Sequence, residues 1–163
     1  MARPKRESRT DSRLRDVRPT RILRRMSDLD SAVRSACARS GEPLVAAYLF
    51  GSRAAGTHHA ESDVDVGVLF DHAAVPAPAD RARRAVRLAS ELIGETHSNR
   101  VDVVVLNDAP AELAATVVTR GVRVLCADAD TDHAFRRRTL SLAADQVPFL
   151  RRARRLKLAA LTR

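Results

Sequence analysis

From Ser27 onward the apolar and polar positions of the chain fall into short regular runs. Asp28 and Asp30 open a helix that reaches about Arg39, and Ser40-Gly41-Glu42-Pro43 closes it with turn chemistry. Leu44 to Phe50 (LVAAYLF) is an unbroken apolar run ending at Gly51, the pattern of an interior strand covered on both faces. Asp63 to Phe70 (DVDVGVLF) alternates at its start, with Val64, Val66 and Val68 on one face and Asp63, Asp65 and Gly67 on the other, and predicts a second strand. Between Ala79 and Ile93 the apolar residues Ala82, Ala85, Val86, Ala89, Leu92 and Ile93 recur at helical spacing, with Arg81, Arg83, Arg84 and Arg87 mostly outside the stripe. Val101 to Leu106 (VDVVVL) is short and β-branched, a third strand, after which Asn107-Asp108-Ala109-Pro110 starts a helix running to about Thr119 and ended by Gly121. Val122 to Cys126 fits a fourth strand. Asp132 begins a further helix that Pro148 is expected to restart, because proline lacks an amide donor but suits a first helical turn. The segment after Pro148 sets Phe149, Ala153, Leu156 and Ala160 opposite Arg151, Arg152, Arg154 and Arg155. Strands alternating with helices, without internal repeats, predict an α/β (α+β) domain with a small central sheet flanked by helices.

The composition narrows this picture. A length of 163 residues suits one domain, and with 45% apolar but only 3% aromatic residues its core has to be aliphatic. Cys37 and Cys126 are the only cysteines and share no CxxC spacing, so they read as small apolar residues in a reducing compartment. No run approaches the roughly 18 apolar residues of a spanning helix, and no apolar segment follows the basic N-terminus as in a secretory signal. The expectation is a cytoplasmic protein without a membrane partner.

The net charge of +9 is unevenly spread: residues 1–26 carry +7, residues 27–135 carry −6 and residues 136–163 carry +8. An acidic middle between basic ends differs from the even basic face of a duplex-binding domain, so nucleic-acid contact is expected at most through the ends. Residues 1–25 have too few apolar side chains to offset the entropy of ordering and are expected to be a disordered extension of a domain spanning 26–163. They read as a basic arm, as an inert tail, or as translated sequence upstream of a true start at Met26.

The candidate chemistry lies in GSRAAGTHHAESDVDVGVLF, residues 51–70. Gly51 at the end of a strand lets backbone amides approach a phosphate, and Ser52 adds a hydroxyl and an amide as donors. Asp63 and Asp65, two residues apart on a strand, project from one face about 6.6 Å apart, close enough to share a cation. Two carboxylates so placed repel unless a cation or proton lies between them, and hard oxygen ligands suit Mg²⁺ or Mn²⁺, which also bind nucleotide phosphates. Asp102, second in its own strand among valines, is a third candidate ligand. A lone Gly-Ser or a lone Asp-x-Asp is more often a solvated strand end, and their conjunction is what points to a metal–nucleotide site. His58 and His59 read as solvated loop residues.

Gly51-Ser52, ten residues, then Asp63-x-Asp65 resembles the signature of the DNA polymerase beta nucleotidyltransferase superfamily, in its minimal nucleotidyltransferase branch. LFGSRAAG (49–56), SDVDVGVLF (62–70), VDVVVLNDAP (101–110) and GVRVLCAD (121–128) each resemble blocks of that branch, over roughly residues 26–150. Family members in this branch commonly begin about where Met26 stands. The family often has a second Arg where this chain has Ala55, which puts one phosphate or acceptor contact in doubt. The resemblance implies a palm-like fold around a small mixed sheet and a transfer of AMP from ATP to an acceptor hydroxyl, with pyrophosphate leaving. It implies that Asp63 and Asp65 hold two Mg²⁺ ions (or Mn²⁺), and that Asp102 helps bind the catalytic one and takes the acceptor's proton. It further implies that Ser52 and the Gly51 turn cradle the leaving phosphates, with Arg53 a candidate for their charge.

Larger relatives present the acceptor on a second domain, and the length from Met26 leaves no room for one. The minimal branch is similar to antitoxins paired with HEPN-type ribonuclease toxins, which transfer AMP to a toxin tyrosine, and this is the reading preferred. The terminal stripe of Phe149, Ala153 and Leu156 offers a docking face, although packing on its own sheet is the simpler account. Two alternatives stay open: a small-molecule acceptor such as an aminoglycoside, and a non-catalytic antitoxin that neutralises a ribonuclease by occlusion.

Overall fold

The computed structural model describes residues 21–51, 63–98 and 100–161, and the side chains of 28–51, 63–98 and 100–145. Helix α1 (Arg21–Arg39) leads into strand β1 (Leu44–Phe50) and strand β2 (Val64–Phe70), followed by α2 (Pro78–Thr96), β3 (Val101–Val105), α3 (Ala111–Arg120), β4 (Val122–Cys126) and α4 (Ala129–Leu161). The four strands form one sheet in the order β3-β2-β1-β4. β1 is antiparallel to both of its neighbours, whereas β2 and β3 run parallel with α2 as the crossover. The sheet is therefore mixed, and the expected α+β architecture with a small central sheet is what the chain adopts.

The apolar run of β1 is explained by its place. It lies between two strands and under helices on both faces, and Leu44 to Leu49 are all buried. On one face Leu44, Ala47 and Leu49 join Val64, Val66, Val68 and Phe70 of β2, with Val33, Ala36 and Cys37 of α1 and Leu88 and Leu92 of α2 packed over them. On the other face Val45, Ala46, Tyr48, Leu69 and Leu106 meet Val117 and Val118 of α3, with Phe135 of α4 at the edge. Gly67 lies on this second face, where a Cβ would come within 2.8 Å of Val117 Cγ1. Its missing side chain is what lets α3 settle on β2.

Three details differ from the expectation. α1 begins at Arg21, seven residues before Asp28, while residues 1–20 lie outside the described residues. α2 buries Arg81, Ala85, Leu88 and Leu92, leaving Val86 and Ile93 exposed, so its inward stripe is rotated from the apolar one and includes an arginine. α4 starts at Ala129, with Asp128 accepting hydrogen bonds from the Asp130 and Thr131 amides, and it runs through Pro148 without restarting. Proline removes one hydrogen bond from a helix without obliging the backbone to leave it, and here the helical turn persists. The Phe149, Ala153 and Leu156 side chains lie outside those described. Cys37 is buried as expected and Cys126 is exposed. Among the described residues no helix is long and apolar enough to cross a membrane.

Candidate active site

Asp65 and Asp102 are brought together by the parallel pairing of β2 with β3. Val64 registers with Val101, Asp65 with Asp102 and Val66 with Val103. Registered residues of a parallel pair point to the same face, so the valines enter the core under α1 and α2 while both carboxylates project to the face of α3 and α4. On the other side of β2, Phe50 at the end of β1 registers with Asp65. The chain then turns at Gly51, whose φ of +74° is the left-handed conformation that favours glycine. A Cβ at Gly51 would fall onto the Asp65 carboxylate, Oδ2 first. The glycine therefore serves two needs at one point, an uncommon backbone angle and a close approach to a carboxylate.

Asp63 stands just before β2, on the same alternation as Asp65, exposed to solvent. Its Oδ1 lies 3.7 Å from Arg100 Nη1, a surface ion pair. The donor set of three carboxylates at one end of one sheet face fits a hard divalent cation. As they stand, however, the three side chains do not close on a common point: among the described residues no group of three His, Cys, Asp or Glu side chains converges to hold a metal. Asp63 instead faces Arg100 at the surface. Ser52 and Arg53, and with them Ala55, His58 and His59, lie outside the described residues.

Two polar clusters that the sequence did not announce complete this half of the molecule. Tyr48, on the central strand, donates through its hydroxyl to Asp132 Oδ1 at 2.5 Å, and Arg123 of β4 donates to Asp132 Oδ2 at 2.7 Å. Asp132 is fully buried. Burial, and then the Asp132 hydrogen bond, push the Tyr48 phenol up to about 12. Arg81 is likewise buried: Nε and Nη2 grip both oxygens of Asp108 at 2.9 and 2.5 Å, while Nη1 donates to the carbonyls of Val75 and Pro76. The Arg81 hydrogen bond holds the Asp108 carboxyl below its ordinary value. Asn107 pairs with both the amide and the carbonyl of Phe70 at 2.9 Å, extending the β2–β3 ladder with a side chain. An acidic residue in a first helical turn and an arginine on a helix read locally as solvated, so no local signal marked either cluster.

Residues 33–130 match the family described as Polymerase beta, Nucleotidyltransferase. A chain of a toxin–antitoxin complex crystallised with AMP-PNP is similar at a TM-score of 0.59 and 25% identity, over 82% of this chain and 98% of that one. A chain from a variant of the MntA-HpeT toxin–antitoxin pair is similar at 0.57 and 27% identity, over 82% and 98%. The same fold recurs, at 0.56 and 22% identity over 85% and 99%, in a complex of tri-AMPylated Shewanella oneidensis HEPN toxin with MNT antitoxin. No curated protein matches the chain. The family match spans more than half of the sequence and encloses the turn at Gly51 and both carboxylate-bearing strands, and by that extent the chain belongs to the polymerase beta nucleotidyltransferase family.

Proposed function

We propose that this nucleotidyltransferase carries AMP from ATP to a hydroxyl of a cognate HEPN-type ribonuclease, a tyrosine by preference, in a Mg²⁺-dependent (or Mn²⁺-dependent) reaction, and so acts as that toxin's antitoxin. The observation that carries the reading is the Asp65–Asp102 register beside the Gly51 turn. It occurs in a chain similar, at 25% identity, to one from a toxin–antitoxin complex crystallised with an ATP analogue. The acceptor class is suggested by the Shewanella oneidensis complex, whose HEPN toxin is tri-AMPylated. The catalytic unit in this reading is 26–163, working in the cytoplasm, with residues 1–25 taking no part.

In the transfer, the acceptor oxygen forms a bond to the α-phosphorus of ATP, the bond from that phosphorus to the oxygen bridging to the β-phosphate breaks, and pyrophosphate leaves with the electron pair. Asp63, Asp65 and Asp102 would hold the divalent ions, whose charge offsets that of the triphosphate oxygens. Asp102, exposed at the edge of the carboxylate pair, accepts the proton released by the acceptor hydroxyl. Gly51, having no side chain, lets the Asp65 carboxylate lie directly against the turn, so that the carboxylate and the turn's backbone amides would face the triphosphate together. Ser52 donates to the departing phosphates and Arg53 lends them a positive charge.

The test is to incubate the full chain with α-labelled ATP, Mg²⁺ and the protein encoded beside it, following label by gel and intact mass. Whole AMP units on the partner, absent with Asp63→Asn/Asp65→Asn, are the expected result. Neutralisation of the ribonuclease that survives this double change would overturn the enzymatic reading in favour of occlusion.

A further inference from the structure

A groove of about 580 Å³ opens on the face that carries Asp65 and Asp102, at the opposite end of β2 and β3, between those strands and the helices α3 and α4. Asp65 and Leu69 point to the same side four residues apart, so groove and carboxylates are separated by about 13 Å along β2. Its walls include Leu69, Leu106, Phe135 and Leu142. Leu142 is 44% exposed, beside Thr139 and Ala143, which are buried on the same helix. The cationic groups around the groove divide into two kinds. Arg81 is neutralised by Asp108 and by two carbonyls, and takes no part in attraction. Arg138, exposed on α4 one turn before Leu142, has no ion-pair partner among the described residues, while His72, also in the lining, lies in the field of Asp108.

We propose that this groove is the socket by which the chain docks its acceptor protein, receiving an apolar side chain from a segment that also carries a carboxylate for Arg138. The inference rests on the transferase reading above, and names the surface that reading needs. The chemistry selects the occupant: apolar walls exclude a wholly polar ligand, and an unmatched cation beside them calls for an anionic neighbour. The shared face selects its size. An occupant that fills the groove and also reaches the carboxylates has to extend over about 13 Å of β2, the scale of a protein surface segment.

Affinity for the protein encoded beside this chain, the acceptor of the transferase reading, titrated calorimetrically against the full chain without ATP, separates the outcomes. Leu142→Asp is expected to weaken the complex about tenfold or more, and Arg138→Glu by a smaller factor that fades at high salt. The affinity for ATP should stay unchanged in both, and Val86→Asp, on the exposed side of α2, should bind as the wild type. Equal affinity of the wild type and both groove variants overturns the proposal, as does absence of any wild-type complex. A dimer of the chain alone that Leu142→Asp dissociates in sedimentation overturns it too, assigning the groove to a second copy. If the groove variants lose affinity but the wild-type complex shows no AMP transfer, the transferase reading falls and the socket stands.

Discussion

Asp132 and Asp65 belong to the same side of one sheet, yet they are treated in opposite ways. Asp132 is fully buried and receives a phenol from the central strand and a guanidinium from the edge strand, so each of its oxygens has a donor. Asp65 is half-buried, its neighbour in the ladder is a second carboxylate, and the adjoining backbone has given up a side chain to lie against it. The first arrangement stabilises the fold, tying α4 to β1 and β4. In the second, two like charges stand side by side, a cost that bonding partners or a cation must offset. A fold keeps such a pair for what can be placed between or upon it, which is the physical sense in which paired carboxylates mark chemistry and saturated ones mark architecture.

The largest effect should follow from removing the paired carboxylates. Asp65→Asn with Asp102→Asn is expected to reduce AMP transfer about a thousandfold while the urea midpoint holds or rises. A fall in midpoint would mean that the pair stabilises the fold after all. Asp132→Ala should do the reverse. It strands the Tyr48 hydroxyl and the Arg123 guanidinium and is expected to cost about 2–3 kcal/mol in urea unfolding, with transfer per folded molecule unchanged. Gly51→Ala joins the two regimes: a left-handed backbone angle is strained by about 1–2 kcal/mol, and the new methyl displaces the Asp65 carboxylate. Transfer is expected to drop about tenfold, roughly 1.4 kcal/mol in barrier, with a smaller fall in melting temperature.

The smallest effect is a dependence on pH at the alkaline end. The Tyr48 phenol rises from 10.0 to about 12 on folding, so the folded state favours the protonated form. Its contribution is complete below pH 10 and is lost as the pH climbs from 10 to about 12. Urea midpoints compared at pH 8 and pH 11 should converge for wild type and Tyr48→Phe if this holds, and should keep their separation if Tyr48 titrates normally. Asp108 behaves with the opposite sign. Arg81 lowers its folded value below 3.8, so its contribution is present above that pH and disappears as the pH falls further.

The sheet was readable because its strands announce themselves through side-chain alternation. LVAAYLF has no charged residue to turn outward, and DVDVGVLF and VDVVVL each set an aspartate on the face opposite their core valines. The Asp65–Asp102 encounter follows once the two strands are adjacent and parallel, which the crossover helix between them permits. What stayed hidden depended on distant partners. Arg81 looks solvated on its helix until Asp108, 27 residues away, closes over it. Asp132 looks like an ordinary helix start until Tyr48, 84 residues earlier, is placed beside it. The stripe on α2 was misaligned because Val86 and Ile93 count as apolar in any pattern, while the buried Arg81 does not. The path of α4 through Pro148 was missed because proline was taken to end a helix that it only interrupts by one hydrogen bond.

The pairing of β2 with β3 also has a bearing on descent. Whether Asp102 stands beside Asp65 or on the far side of the sheet is decided by parity, the odd or even count of residues along two short strands. Lengthening or shortening the connection between α2 and β3 leaves that parity intact, whereas a single residue gained between Val101 and Asp102 would turn the carboxylate to the opposite face. A chain of this kind can drift far in composition, as the 25% identity to a toxin–antitoxin chain of similar fold illustrates, and still keep the pair as long as the count of strand positions is kept. Heredity in this site is carried by counting.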